Sequence, residues 1–234
     1  MNKKPLLLLY ALGAIAVVGY GLCLLAIVVS FLSSDLPERT SCFRSECFEE
    51  LFTVLAPAFT IGKAASDLLI TVATVGGIVV ALLSYFSAVS NSALANHISH
   101  FSTFQSYINN EIAKRGRIHA SSIDVFKWYN SVFPESKSGV MMVAAGYKDF
   151  VQKMNLRVDE SNQLANTATG ESFRYKPHQV AIRDHLEIIG ITLSLQPRIE
   201  YYEIEDQIMS LIGCVNNAFC LNSHIPALSV RRYA

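Results

Sequence analysis

Two long stretches without a charged residue constrain this chain more than any other feature of its sequence. Residues 6–32 are 27 consecutive uncharged residues, and residues 68–96 are another 29. A helix needs about 20 apolar residues to cross a bilayer. A buried helix of a soluble protein is seldom apolar on every face over such a length. The sequence therefore predicts an integral membrane protein with two spanning helices.

The two spans divide the chain into four parts and predict a mainly α fold. We expect a two-helix transmembrane hairpin, followed by a small helical cytoplasmic domain with an irregular loop or short hairpin insert. The predicted parts are an N-terminal tail with the first transmembrane helix over 1–32, a periplasmic connection with an interfacial segment over 33–67, a second transmembrane helix over 68–96 and the cytoplasmic domain over 97–234.

The N-terminus resembles a signal peptide, because two lysines precede a leucine-rich run. Cleavable apolar cores usually have about 7 to 15 residues, so this longer run favours an uncleaved anchor over a leader removed near Ser33. Basic residues near the helix ends are balanced and do not fix the orientation. We expect both termini in the cytoplasm, because the connection is acidic and a short segment is simpler to translocate than a large domain.

The connection is more than a plain polar loop. Residues 51–61 are uncharged, but they are interrupted by Pro57 and are too few to span a bilayer. An amphipathic helix at the outer membrane surface, a shallow re-entrant turn and an ordinary packed loop all remain open here. Lys63 and Asp67 are spaced to pair if this segment is helical.

Both spans carry small residues at spacings of three or four, which place them on one helix face. In lipid, such faces allow two helix backbones to approach closely. They could serve the hairpin within one chain or self-association between chains. These transmembrane packing candidates are Ala16, Gly19, Cys23 and Ala26 in the first span, and Ala73, Gly77, Ala81 and Ser84 in the second.

The cytoplasmic part contains a series of apolar stripes with helical spacing. The period of the second span continues to about Gly116, and the polar, turn-rich residues 155–176 predict the loop or hairpin insert. Four further helices are predicted over about 121–133, 138–154, 177–193 and 204–215.

No residue pattern indicates catalysis, a metal or a cofactor. His97 and His100 are close enough on a helix to share a metal, but no thiol or carboxylate completes the set. Cys42 and Cys47 lie in the connection, where an oxidising compartment would allow a disulfide, with an unbridged thiol pair as an equal alternative. We expect a protein that is not an enzyme, needs no cofactor and has no small-molecule substrate.

Histidines and aromatic residues recur between Ser92 and Gly146. The pattern runs through Asn96-His97-Ile98-Ser99-His100-Phe101, Phe104, Tyr107, Ile108, Ile123-Asp124, Phe126, Trp128-Tyr129-Asn130 and Phe133-Pro134. It resembles the two-transmembrane-helix membrane effectors of bacterial retron anti-phage defence systems. From the pattern we take His97, His100, Phe101, Phe104, Trp128 and Tyr129 as candidates for partner binding.

The resemblance implies a toxic effector of the bacterial inner membrane that acts in abortive infection. In such systems a reverse transcriptase with its branched RNA–DNA product holds the effector inactive, and phage infection releases it to permeabilise the membrane. The residues themselves also fit a membrane-tethered binding or sensor module that assembles a cytoplasmic complex without damaging the bilayer. Two helices enclose no aqueous path, so permeabilisation would require several copies or gross disruption of the lipid.

Overall fold

The backbone is built almost entirely from helices, as the mainly α class predicts. A computed structural model describes residues 3–33, 45–166 and 173–233, and every named element in these ranges is helical. The α-helices are α1 Lys3–Leu32, α2 Ser45–Ala113, α3 Val125–Val132, α4 Ala145–Asn166, α5 Tyr175–Leu186 and α6 Arg198–Phe219. Short 3₁₀ turns lie at Ala120–Ser122, Ser136–Ser138, Glu187–Ile189 and Leu221–Ser223.

The chain forms two compact units, Met1–Ala88 and Val89–Ala234. We call the first the hairpin unit and the second the cytoplasmic unit, after the location that the sequence predicts for it. The boundary between them falls inside α2, so this single helix contributes residues to both. Two stretches, Leu6–Leu32 and Leu51–Ala113, are long and apolar enough to cross a membrane.

Helix α2 differs from the boundaries expected from the sequence. It begins at Ser45 and runs for 69 residues, so more than half of the predicted connection 33–67 belongs to the same helix as the predicted span 68–96. A proline in a helix removes one backbone hydrogen bond, but Pro57 is exposed while the next residue, Ala58, is buried. Packing of the neighbouring face therefore maintains the helix through Pro57.

The cytoplasmic unit encloses one hydrophobic core, to which residues 104–112 of α2 and helices α3 to α6 all contribute. Asp124 caps α3 by accepting a hydrogen bond of 2.9 Å from the backbone N–H of Lys127. Helix α3 therefore begins at Val125, four residues later than the sequence indicates. Polar side chains that can cap a helix compete at several nearby positions, and only the tertiary fold selects one.

Helix α4 is also displaced from its predicted position, since it begins at Ala145 and continues to Asn166. Much of the predicted loop or hairpin insert over 155–176 is thus helical, while residues 167–172 lie outside the described residues. The helix continues because Met154, Val158 and Ser161 form a buried stripe. Only two members of this stripe are apolar, so the sequence gives a weak signal there.

The predicted helix over 177–193 ends early. Helix α5 stops at Leu186, and a 3₁₀ turn leads to Gly190, whose φ of 87° lies in the left-handed region that favours glycine. Ile191 then forms an isolated antiparallel bridge with Ile123. The apolar residues at 189 and 193 therefore enter the core from a turn and an extended segment instead of a helix.

Candidate functional site

Close contact between α1 and α2 defines the hairpin unit. A Cβ atom added at Gly19 would lie 2.6 Å from the Cβ of Ala65, and one added at Gly76 would lie 2.4 Å from a methyl carbon of Leu8. These glycines are positions where the helices approach too closely for a side chain. The two contacts also fix the register, because residues near 8 and 19 of α1 face residues near 76 and 65 of α2.

Polar side chains reinforce the same register. The Cys23 thiol donates a hydrogen bond of 3.2 Å to the carbonyl oxygen of Ala58, and the Tyr20 and Ser66 hydroxyls lie 3.0 Å apart. Hydrogen bonds between helices are favourable in lipid because no water competes for the groups. The interface is therefore held by small-residue packing and by specific polar contacts.

The two predicted small-residue faces occupy different environments. Ala16, Gly19, Cys23 and Ala26 of α1 are half-buried, and Gly19 and Cys23 contact α2 directly. Ala73, Gly77, Ala81 and Ser84 of α2 are exposed, and a Cβ at Gly77 would meet nothing within 4 Å. We call this exposed set the α2 seam. The face of α2 that holds α1 instead contains Ala58, Gly62, Ala65 and Gly76.

The aromatic residues proposed for partner binding form part of the cytoplasmic core. Phe104, Trp128 and Tyr129 are fully buried, and His97 is 8% exposed. The Phe104 ring centroid lies 5.3 Å from Tyr129 and 5.0 Å from Phe219 in edge-to-face contacts. These side chains connect α2, α3 and α6, and the structure does not offer the buried ones to a partner.

The two histidines of this cluster have separate hydrogen-bonding partners. His97 Nδ1 lies 2.9 Å from the Ser136 hydroxyl, and His100 Nδ1 lies 3.0 Å from the Tyr129 hydroxyl. Burial, with a smaller contribution from His97, lowers the pKa of His100 below its ordinary value. Among the described residues, no group of three or more His, Cys, Asp or Glu side chains could hold a metal ion.

The proposed disulfide cannot be compared with the structure. Cys42 lies outside the described residues, and the side chain of Cys47 is not described although its backbone belongs to α2. The bridge therefore stays a prediction.

Ion pairs of Glu111 with Lys114 and Arg115 lie at the C-terminal end of α2. Hydrogen bonds from Arg115 and Lys114 lower the pKa of Glu111 to about 2. Arg115 also donates to the Ser210 hydroxyl at 3.0 Å on α6. Helix α2 is thus tied to α6 at its last turn.

The C-terminal tail is bound along α4, which the sequence did not predict. Asn155 and Asn162, seven residues apart on α4, each bond twice to the backbone of residues 227–232, at distances of 2.6 to 2.9 Å. Each side-chain amide accepts from one backbone N–H and donates to one carbonyl. An asparagine pair at this spacing was the available signal, although asparagines on a helix usually face solvent.

A buried carboxylate on α6, that of Glu205, anchors the end of the tail. Tyr233 donates a hydrogen bond of 2.6 Å to Glu205, and Arg231 lies 3.3 Å from the same carboxylate. Burial, reinforced by the negative charge of Glu205, raises the pKa of Tyr233 above its ordinary value. The tail is therefore an integral part of the cytoplasmic unit.

Ser161, His178 and Glu205 form a row that resembles a catalytic triad in composition. The Ser161 hydroxyl lies 2.8 Å from His178 Nδ1, and His178 Nε2 lies 3.3 Å from Glu205. A nucleophile must reach its substrate, whereas all three side chains are buried. We interpret the row as a polar network that fixes α4, α5 and α6.

Comparison with known proteins identifies relatives along almost the whole chain. The family model described as "Retron Ec48 antiviral membrane protein" matches residues 51–223. A curated protein of Escherichia coli, "Retron Ec48 transmembrane protein", is 29% identical over 229 residues, which cover 98% of this chain and 97% of that protein. No solved structure matches.

The family match includes most of α2 and nearly all of the cytoplasmic unit. It therefore extends well beyond the histidine and aromatic pattern that first indicated the resemblance, and it confirms the membrane character predicted from the two apolar stretches. The chain belongs to the Retron Ec48 antiviral membrane protein family.

Proposed function

We propose that this antiviral membrane protein is a toxic effector that permeabilises the bacterial inner membrane when a partner complex releases it. The α2 seam carries the proposal. Within the described residues this seam has no partner from α1, yet small-residue faces are the surfaces through which membrane helices associate. Association of several copies through the α2 seam would bring several hairpins together. Several are needed because a single hairpin encloses no aqueous path.

The cytoplasmic unit supplies the regulatory part of the proposal. It shares α2 with the hairpin unit, so a partner bound to it binds a domain that is continuous with the membrane helix. From the family we propose that a reverse transcriptase with its RNA–DNA product is that partner. The partner surface would consist of exposed residues of this unit, since the aromatic cluster is buried.

A direct test is to induce the chain alone in bacteria and to follow membrane potential and entry of a membrane-impermeant dye. We expect depolarisation and dye entry before growth stops. Growth arrest with normal polarisation would contradict the proposal. The same assay on Gly77→Leu with Ala81→Leu should show much weaker permeabilisation, because leucines would keep neighbouring α2 helices apart.

The matched control is Gly13→Leu with Gly21→Leu. Both glycines have open space within 4 Å of an added Cβ and lie on α1. This control makes two bulky substitutions in a membrane helix without altering the α2 seam, so it should remain toxic.

The second candidate function is a membrane-tethered binding module. The buried, well-connected cytoplasmic core favours it, since such a domain could fold and bind without help from the spans. Replacing residues 1–88 with an unrelated two-helix hairpin separates the candidates. Retained activity would favour the tether, and lost permeabilisation with intact membrane targeting would favour the effector.

A further inference from the structure

Apart from Ser66, which contacts Tyr20 of α1, the polar residues of α2 in the part that pairs with α1 lie on one face of the helix. We call this set the α2 polar face. A step of two residues turns about 200° around an α-helix, so Lys63 and Asp67, each two residues from Ala65, lie on the side opposite α1. All members are exposed. The α2 polar face comprises Thr53, Thr60, Lys63, Asp67, Thr71 and Thr74.

The threonines of this face are satisfied within the helix, but the charged residues are not. The hydroxyls of Thr60, Thr71 and Thr74 donate to the carbonyl oxygens four residues earlier, at 2.7 to 2.9 Å. Within the described residues neither Lys63 nor Asp67 takes part in a salt bridge. Their charges therefore require water or another molecule.

The hairpin register places both charges at membrane depth. Leu8 lies beside Gly76, Gly19 beside Ala65, and Cys23 beside Ala58. The uncharged run 6–32 of α1 is thus paired with residues near 52–78 of α2. A bilayer core takes up about 20 residues of a helix. Whichever 20 residues of α1 it contains, the facing part of α2 includes Lys63 and Asp67.

A different depth, with only the uncharged run 68–96 of α2 in the bilayer, would leave residues 17–32 of α1 in water. That half of α1 exposes large apolar side chains, including Val17 at 76% and Leu32 at 78%. Residues 79–96 of α2 expose fewer large apolar side chains than residues 17–32 of α1, seven against ten, and they include four serines and two asparagines. The bilayer therefore fits the paired region best, which moves the second span toward the N-terminus of α2.

We propose that the α2 polar face lines a water-filled path enclosed by several copies of this chain. An unpaired charge near the centre of a bilayer is costly, and such residues face a bundle interior or an aqueous cavity. One hairpin cannot form that cavity. The inference rests on the proposed function and names the surface through which permeabilisation would occur.

Around the helix axis the position of the α2 seam agrees with this arrangement, and along the axis Ala73 and Gly77 of the seam lie within the paired region. Gly77 follows Thr74 by three residues, so it lies about 60° around the helix from the polar face. A helix that contacts a neighbour through a flank of this kind can turn the adjacent polar face toward a shared interior. Seam and polar face are thus compatible within one assembly.

Each copy would add one lysine and one aspartate to the path. The two residues are four positions apart, so their rings would be separated by about 6 Å along the helix. Aspartate rings favour cations and lysine rings favour anions. Removing one of them should therefore shift ion preference in the direction set by the other.

The first experiment measures water access. Thr60→Cys, Thr71→Cys and Thr74→Cys are made singly in the full chain, which is expressed without partners and treated with a charged, membrane-impermeant methanethiosulfonate reagent. The unsubstituted chain gives the labelling of its native cysteines. Controls are Ile61→Cys and Leu68→Cys, which are exposed apolar positions about 100° around the helix from a polar-face neighbour.

We expect reaction at the three threonine positions and background labelling at the two controls. Equal labelling of both sets, or labelling at the controls alone, would overturn the inference. The labelling pattern does not depend on whether the chain conducts ions. Labelling of the α2 polar face in cells that stay polarised would support the contact of this face with water and would count against the proposed toxic function.

The second experiment measures selectivity of the purified full chain in planar bilayers under a potassium chloride gradient. Lys63→Gln should shift the reversal potential toward cation preference, and Asp67→Asn should shift it toward anion preference. Opposite shifts cannot result from misfolding alone. Conductance with unchanged reversal potentials in both variants would overturn the polar-face path while leaving membrane disruption itself intact.

Discussion

Gly19 of α1 packs directly against Ala65 of α2, because a Cβ at position 19 would lie 2.6 Å from the Cβ of Ala65. This contact sets the register of the hairpin. The register in turn determines which residues of α2 share the bilayer with α1, and hence the depth of Lys63 and Asp67.

The first prediction concerns this contact. Gly19→Leu should destabilise the hairpin by about 1 to 3 kcal/mol, the usual cost of overpacking, because the leucine must displace the α2 backbone. Thermal melting of the purified chain in detergent measures the effect. Gly21→Leu, where an added Cβ meets nothing within 4 Å, is the control and should melt like the unsubstituted chain. Equal melting of both variants would be inconsistent with the register.

The second prediction concerns the C-terminal tail. Arg231→Ala should lower the free energy of unfolding of the cytoplasmic unit by about 3 kcal/mol, because it removes one partner of a buried ion pair. Urea unfolding followed by the fluorescence of Trp128, the only tryptophan in the chain, measures this unit. Arg232→Ala is the control, since that side chain is exposed. A loss no larger than the control's would show that the tail is only loosely bound.

The third prediction concerns acid sensitivity. His185 stacks on Phe150 and lies 2.8 Å from its carbonyl oxygen. Burial, with smaller contributions from Arg157 and Lys153, lowers its pKa below the ordinary value of 6.5. The unfolded chain therefore binds more protons just below that pH, so stability is present above about 6.5 and falls as the solution is acidified.

His185→Gln should make this dependence shallower below about pH 6.5. Urea titrations at several pH values, again followed by Trp128, provide the measurement. His119→Gln changes an exposed histidine and should leave the slope as it was. An unchanged slope in the His185 variant would mean that another group controls the acid response.

The fourth prediction distinguishes a structural from a partner-binding role for the aromatic cluster. Phe104→Ala should cost about 3 to 5 kcal/mol, as expected for truncation of a buried phenylalanine. Phe126→Ala, at a ring that is 49% exposed, should cost much less. A Phe104→Ala variant that unfolds normally but no longer binds a partner would restore the binding interpretation.

The sequence predicts the helices that are apolar throughout. It is less informative where tertiary contacts determine which face of a helix packs and in which register. Uncharged runs identify α1 and part of α2 as long apolar helices, and the small-residue pattern identifies the face of α1 that packs on α2. The pattern on α2 points to a different face from the one that holds α1. Register is a property of two helices together, and a single sequence contains no direct measure of it.

The same limitation applies to the cytoplasmic unit. The aromatic residues Phe104, Trp128 and Tyr129 mark the core from their spacing, but the sequence does not show whether they face inward or toward a partner. The binding of the tail by Asn155 and Asn162 joins residues about 70 positions apart. Contacts over such separations depend on the complete fold, so local patterns could not predict them.

The most direct test of the central claim uses the purified full chain in liposomes that carry a potassium diffusion potential and a voltage-sensitive dye. The account predicts that the chain dissipates the potential, that Gly77→Leu with Ala81→Leu largely prevents this, and that Gly13→Leu with Gly21→Leu does not. A potential that persists with the unsubstituted chain correctly inserted would contradict the claim that this protein acts by permeabilising the membrane.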